Sequence, residues 1–262
     1  MRRLTPARRA RAVVVPAACA LLLAAGAAAD ARPAPSGVPF QVGEELTFRV
    51  RSSRFGTLGT AVMRVDGTEV VRGHETWVLR FDFRGRIGPV VAEDHTRSWL
   101  CPRSMSAFRY RKSERTPLGS RREEVEMFPS ERRWEGAGGT RGSSPTDLPL
   151  DELSFLYFLR TLPLEDGSVD VLERHFDTGR NPVTVRVAGR TRLSVPAGDF
   201  ATVGVTMQVK DPARGRGRGA VRIHFTDDAR RTPVRIESSA PWLGTVVLSL
   251  QSRDSRPGTR SP

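Results

Sequence analysis

Trp77-Val78-Leu79-Arg80-Phe81-Asp82-Phe83-Arg84 decides the fold class. Trp77, Leu79, Phe81 and Phe83 take every second position, with Arg80, Asp82 and Arg84 between them. That period matches a pleated strand with one buried and one wet face, and no helix can sort those side chains to two sides. The same alternation runs outward in both directions. Towards the N-terminus, Leu46, Phe48 and Val50 alternate with Glu45, Thr47, Arg49 and Arg51, and Ala61, Met63 and Val65 close on the turn pair Asp66-Gly67. Towards the C-terminus, Phe108 with Tyr110 and Val125 with Met127 share a face. Val183, Val185 and Val187 lead through Leu193 and Val195 to a turn at Ala197-Gly198. Val203 to Val209, Val221 to Phe225, Val234 with Ile236, and Val246 to Leu250 complete the series. About a dozen strands joined by short polar turns favour antiparallel meanders.

One segment departs from this period. Between Asp151 and Leu162, Leu153, Leu156, Tyr157 and Arg160 recur at spacings of three and four, and Phe155, Phe158, Leu159 and Leu162 widen the apolar stripe. Asp151 is placed as N-cap, Glu152 in the first turn and Pro163 as the stop. So apolar a helix must be buried. The expected fold is therefore mainly β, a large curved antiparallel sheet, open or half-barrel, wrapped round one buried helix. Residues 136–149 are expected to be a mobile loop leading into it.

The start of the chain sets the address. Arg2, Arg3, Arg8, Arg9 and Arg11 precede an apolar run from Val13 to Ala29, as in a signal peptide cleaved after Ala29. An uncleaved anchor is disfavoured, because the 17 residues include Pro16 and a span needs roughly 20 strongly apolar ones. A lipoprotein reading of Cys19 is disfavoured by Pro16, and Arg8-Arg9 is a minor twin-arginine alternative. Residues 30–37 read as a tether, 38–251 as a single β-rich domain and 252–262 as a disordered tail. Removing the leader lowers the formal charge from +13 to +8. Only Lys112 and Lys210 are lysines, which suits the codon supply of a high-GC bacterium, here Gram-negative with a periplasmic product. The remaining positive charge favours anionic membrane surfaces or acidic polysaccharide. Nucleic acid is excluded as a partner of an exported chain. Cys101, alone once Cys19 leaves, reads as a core residue without a disulfide.

Four blocks resemble the bacterial exported family called domain of unknown function 3108. They are Pro39-Phe40-Gln41-Val42-Gly43-Glu44-Glu45-Leu46-Thr47-Phe48, the helix Asp151 to Thr161, Val195-Pro196-Ala197-Gly198-Asp199-Phe200, and Phe225 to Glu237. The resemblance implies an exported β-rich domain and no particular chemistry.

Catalytic and metal sites are not expected, nor any cofactor. His74-Glu75 lacks a second histidine, and His95 after Glu93-Asp94 reads as a solvated turn. His224 falls on the wet side of a strand. Asp227-Asp228 reads as a capping turn paired with Arg230 or Arg231. Arg214 to Gly219 reads as a flexible hairpin tip. The leading expectation is a non-enzymatic envelope protein binding an apolar or lipid-like ligand or an envelope protein. A scaffold acting through its sheet edges is the alternative, followed by a glycan hydrolase using Glu93, Asp94, Asp227 or Asp228, which would need two carboxylates about 5–10 Å apart.

Overall fold

Alternation becomes fourteen strands in the computed structural model, which describes residues 37–210, 218–240 and 243–255. The leader, its cleavage site at Ala29, residues 30–36 of the tether, residues 214–217 of the Arg-Gly run with the three before them, and the last seven residues lie outside the described residues. The first eight strands are β1 (Glu44–Ser52), β2 (Gly56–Val71), β3 (His74–Ile87), β4 (Val90–Cys101), β5 (Ser106–Thr116), β6 (Gly119–Phe128), β7 (Arg133–Gly136) and β8 (Arg141–Ser143). The helix α1 (Glu152–Leu159) follows. β9 (Val169–Leu172), β10 (Val183–Val195), β11 (Gly198–Lys210), β12 (Arg218–Thr226), β13 (Pro233–Ala240) and β14 (Gly244–Ser255) complete the chain. They form one open antiparallel sheet in the order β8-β7-β6-β5-β4-β3-β2-β1-β14-β13-β12-β11-β10-β9. The chain meanders outward from β1 to β8, crosses with α1 to the far edge, and meanders back until β14 lies beside β1.

The crossing segment also ties the sheet's two halves. Ala107 donates its N–H to the Pro149 carbonyl at 2.7 Å, Leu150 donates to Arg174 at 2.7 Å, and Phe176 donates to Leu150 at 3.0 Å. The concave face is filled by α1. Leu153, Phe155, Tyr157, Phe158 and Leu159 are all buried there, in one cluster with Phe48, Leu79, Val185, Val205, Ile223 and Phe225. Each such side chain contributes about 1.5–3 kcal/mol by leaving water. Eight residues are too few for a stable isolated helix, so α1 depends on this packing and on its ends. Asp151 accepts hydrogen bonds from the N–H groups of Leu153 and Ser154 at 2.9 and 3.0 Å, while the Ser154 hydroxyl accepts from Asp151 N–H at 2.9 Å. That reciprocal cap is worth about 1 kcal/mol.

The other end of α1 is held by a charge. Arg160 is 2% exposed. Its guanidinium donates to both Glu44 carboxylate oxygens at 2.6 and 2.8 Å, and to the carbonyls of Pro39 and Arg230 at 3.1 and 3.0 Å. It also lies over the rings of Phe40 and Tyr157. Three of the four sequence blocks quoted above therefore meet at one side chain.

Several expectations are corrected. Asp66-Gly67 is a bulge inside β2, since pairing with β3 skips from Val65↔Leu79 to Thr68↔Trp77. The turn falls at Arg72 and Gly73, which both hold positive φ, 49° and 81°, as a two-residue hairpin turn requires. A second bulge, where β4 pairs with β5, puts Phe108 and Tyr110 in different clusters. Phe108 joins Val71, Val78, Trp99 and Cys101 in a small apolar cluster, and Tyr110 joins Val125 and Met127. Residues 136–149 include the strand β8, paired with β7. The tail from 252 to 255 continues β14 along β1, with Thr47 opposite Ser252 and Glu44 opposite Ser255.

Candidate functional site

With the concave face filled, the outer face of β2–β6 carries the chemistry. Inward Ala61, Met63, Leu79 and Leu100 force their sequence neighbours outward, and the strand registers decide which of those lie side by side. Glu45 sits opposite Arg64, Arg64 opposite Arg80, Arg80 opposite Arg97, Arg97 opposite Arg111, and Arg111 opposite Glu124. Four arginines thus stand in one row across four adjacent strands. Neighbours on such a row are about 5 Å apart at Cβ, and like charges directly opposite destabilise the sheet.

Acids compensate the ladder unevenly. Arg64 is 3.7 Å from Glu45, Arg80 lies 3.5 Å from Asp66 and 2.5 Å from Asp82, and Arg111 is 3.8 Å from Glu124 while covering the Trp99 ring. Arg97, exposed in the middle of the row, has no acidic partner among the described residues. The next row reads Asp82, His95, Ser113, Arg122. His95 Nδ1 lies 2.7 Å from Asp82. Burial works to raise the Asp82 carboxyl, but the His95 hydrogen bond and the Arg80 guanidinium outweigh it and hold the group below the usual carboxylate range. Asp82 is therefore an ionised anchor for Arg80 and His95. No hydrogen bond joins His95 to Ser113 among the described residues, so the row is not an assembled nucleophile and base. A cleft of about 290 Å³ opens between Arg80, Arg97, Arg111 and Arg122, and an adjoining one of about 400 Å³ lies beside Arg115 and Arg121. The arrangement can seat negative charge and offers hydroxyl and imidazole groups beside it.

The residues singled out from sequence scatter. His95 is in mid-β4 and not in a turn. Glu93 shares the outer face and pairs with Arg84 at 3.0 Å, whereas Asp94 points inward to Lys112 at 3.1 Å. Asp227 and Asp228 lie between β12 and β13, which are six and five strands from β4 in the sheet. Asp227 binds Arg190 and Arg231, and Asp228 accepts from the N–H groups of Arg230 and Arg231. The four carboxylates do not converge. His74 stacks on Phe108 at 4.6 Å, and His175 is buried 3.8 Å from Glu152. His224 packs over Gly204, and burial lowers its imidazole pKa. Cys101 is buried and unpaired. Among the described residues, no three His, Cys, Asp or Glu side chains group as metal ligands, and no helix is long and apolar enough to cross a membrane.

The ladder was not anticipated. Alternation marks Arg64, Arg80, Arg97 and Arg111 as outward-facing, but a shared row depends on where each hairpin turns, and Asp66-Gly67 pointed to the wrong place.

A family model described as "Protein of unknown function (DUF3108)" matches residues 47–251. Among solved structures, a β-barrel-like DUF1849 protein from Brucella abortus is similar at a TM-score of 0.51 and 11% identity, covering 82% of this chain and 98% of its own. A Bacteroides fragilis protein with a YmcC-like fold aligns at a TM-score of 0.35 and 12% identity, over 83% of this chain and 98% of its own. No curated protein matches the chain.

Proposed function

The chain belongs to the DUF3108 family, and from that premise we propose that it is an exported, non-enzymatic protein of the Gram-negative cell envelope that binds a linear acidic polysaccharide along the arginine ladder. The row of Arg64, Arg80, Arg97 and Arg111, with Arg97 uncompensated, carries this reading. Charges on the row repeat at the strand spacing of about 4.8 Å, which suits a polymer bearing one acidic group per sugar and laid across the strands. Asp82, His95 and Ser113 beside it supply polar partners for hydroxyls. The leader from Arg2 to Ala29 supports export, and the separation of the four acidic candidates supports a role without catalysis. An apolar ligand on the concave face would have to displace α1, so that reading is not adopted.

Titration of the mature protein with polygalacturonate, with neutral dextran as control, tests this. Binding to polygalacturonate alone is expected, weakening steeply with salt. Arg97→Glu should lower affinity by about tenfold or more, equivalent to ~1.4 kcal/mol. Equal binding by wild type and Arg97→Glu, or none at low ionic strength, overturns the proposal.

A further inference from the structure

Up-and-down topology sends the β1–β2, β3–β4 and β5–β6 turns to one end of the sheet. Register staggers them by no more than three residues, the β1–β2 turn reaching one residue past the β3–β4 turn and the β5–β6 turn stopping two short of it. Ser52 faces Gly56, Gly59 faces Gly85, Ile87 faces Val90, Glu93 faces Arg115, and Thr116 faces Gly119. Each turn displays apolar side chains to water. Phe55 is 49% exposed, Val90 38%, Val91 36% and Leu118 75%. These are four of the seven large exposed hydrophobics among the described residues, so exposure is concentrated on this rim. Basic residues flank every tip. Arg51 and Arg54 stand beside Phe55, Arg86 precedes Val90, and Arg115 and Arg121 bracket Leu118.

We propose that this rim is a membrane-docking surface that inserts Phe55, Val90, Val91 and Leu118 into the headgroup–acyl boundary of an anionic bilayer. The tips sit two strands apart, about 10 Å from one another, so they form separate prongs and not the continuous apolar patch that a protein partner would cover. Prongs set among arginines match a boundary where apolar tips reach lipid while guanidinium groups stay among phosphates. Attraction of such cations to anionic lipid adds to the apolar insertion. The apolar tips are separate from the ladder, because Arg97 lies six residues along β4 from Val91, about 20 Å away, although Arg115 and Arg121 also line the cleft that adjoins the ladder.

Co-sedimentation of the mature protein with phosphatidylcholine vesicles, with and without phosphatidylglycerol, tests the rim. Wild type should pellet with the phosphatidylglycerol vesicles and stay in solution with phosphatidylcholine alone. The double variant Phe55→Ser/Leu118→Ser, altered only at exposed positions, should lose binding by about tenfold while keeping its circular dichroism. Arg97→Glu should pellet as wild type does. Absence of pelleting with phosphatidylglycerol, or undiminished pelleting of the double variant, overturns the proposal. Loss of pelleting in Arg97→Glu with the double variant unaffected would also overturn it, by assigning the lipid to the ladder. Phe55→Trp supplies a second readout: its added emission should shift to the blue on vesicles, and an unchanged spectrum counts against insertion.

Discussion

Arg160 carries its charge into a space that water scarcely reaches, and it is tolerated because both terminal nitrogens of the guanidinium are paired, while Nε is left without a hydrogen-bond partner. Glu44 supplies the counter-charge, two carbonyls take further N–H groups, and Phe40 and Tyr157 cover the plane. Removing one member of such a buried pair leaves the other without compensation, at a cost of about 3–5 kcal/mol. Arg160→Ala should therefore lower the urea midpoint severely. Replacing both partners by apolar groups of similar volume should cost far less, so Arg160→Met/Glu44→Met is expected to recover most of the lost stability. If the double variant is as unstable as Arg160→Ala, the charge is not the origin of the effect. Nothing local marked this residue. In sequence Arg160 is one polar member of an apolar stripe, and its partner lies 116 positions away. A register or a tertiary contact, not a propensity, makes it a hub.

At the scale of elements, those with strong periods were legible and those held by neighbours were not. The long strands and α1 with its Asp151 cap were readable because burial on one face dictates their patterns. β8 and β9 have only three and four residues, too few for any period, and they exist because β7 and β10 offer free edges. Asp66-Gly67 has the composition of a hairpin turn, yet β3 continues opposite it and absorbs it as a bulge. That one displacement hid the ladder as well. The cap of α1 also has a pH signature. Burial raises the Asp151 carboxyl from 3.8 to about 6, against the pull of the Ser98 hydroxyl at 2.5 Å and the Ser154 N–H. A raised carboxyl favours the protonated folded state, so its contribution is fully present below pH 4 and is lost as pH rises through about 6. Asparagine caps helices comparably without titrating. The stability of wild type relative to Asp151→Asn should therefore fall between pH 4 and 6, by about 2–3 kcal/mol at most, and stay level above that window. Thermal melts across this range would check it, and parallel profiles would refute the buried-carboxylate account.

The whole molecule is two meanders joined along a seam of its two ends. β1 and β14 pair over their full overlap, from Glu44 opposite Ser255 to Ser52 opposite Val246, so the sheet's centre is made by the residues most distant in sequence. Every other pair in the sheet joins consecutive strands. Linking Ser255 to Gly37 by a flexible linker, which keeps Pro39 and Phe40 at Arg160, and opening the chain between Pro145 and Thr146 would make all neighbours consecutive, with α1 leading into β9. The opening lies between β8 and the Pro149–Leu150 tie, so the backbone bonds from Ala107 and to Arg174 survive. Shortening the mean sequence separation of paired residues speeds folding, because the closure of a long loop no longer precedes the central pairing. The permuted chain should reach the same far-UV spectrum, unfold in one cooperative transition and refold faster than the natural order. Refolding at an unchanged rate would place the seam outside the rate-limiting step. A permutant that collapses without cooperative unfolding would mean that β1 and β14 must close the sheet from opposite ends of the chain, and that two half-sheets, not one, are the units that fold.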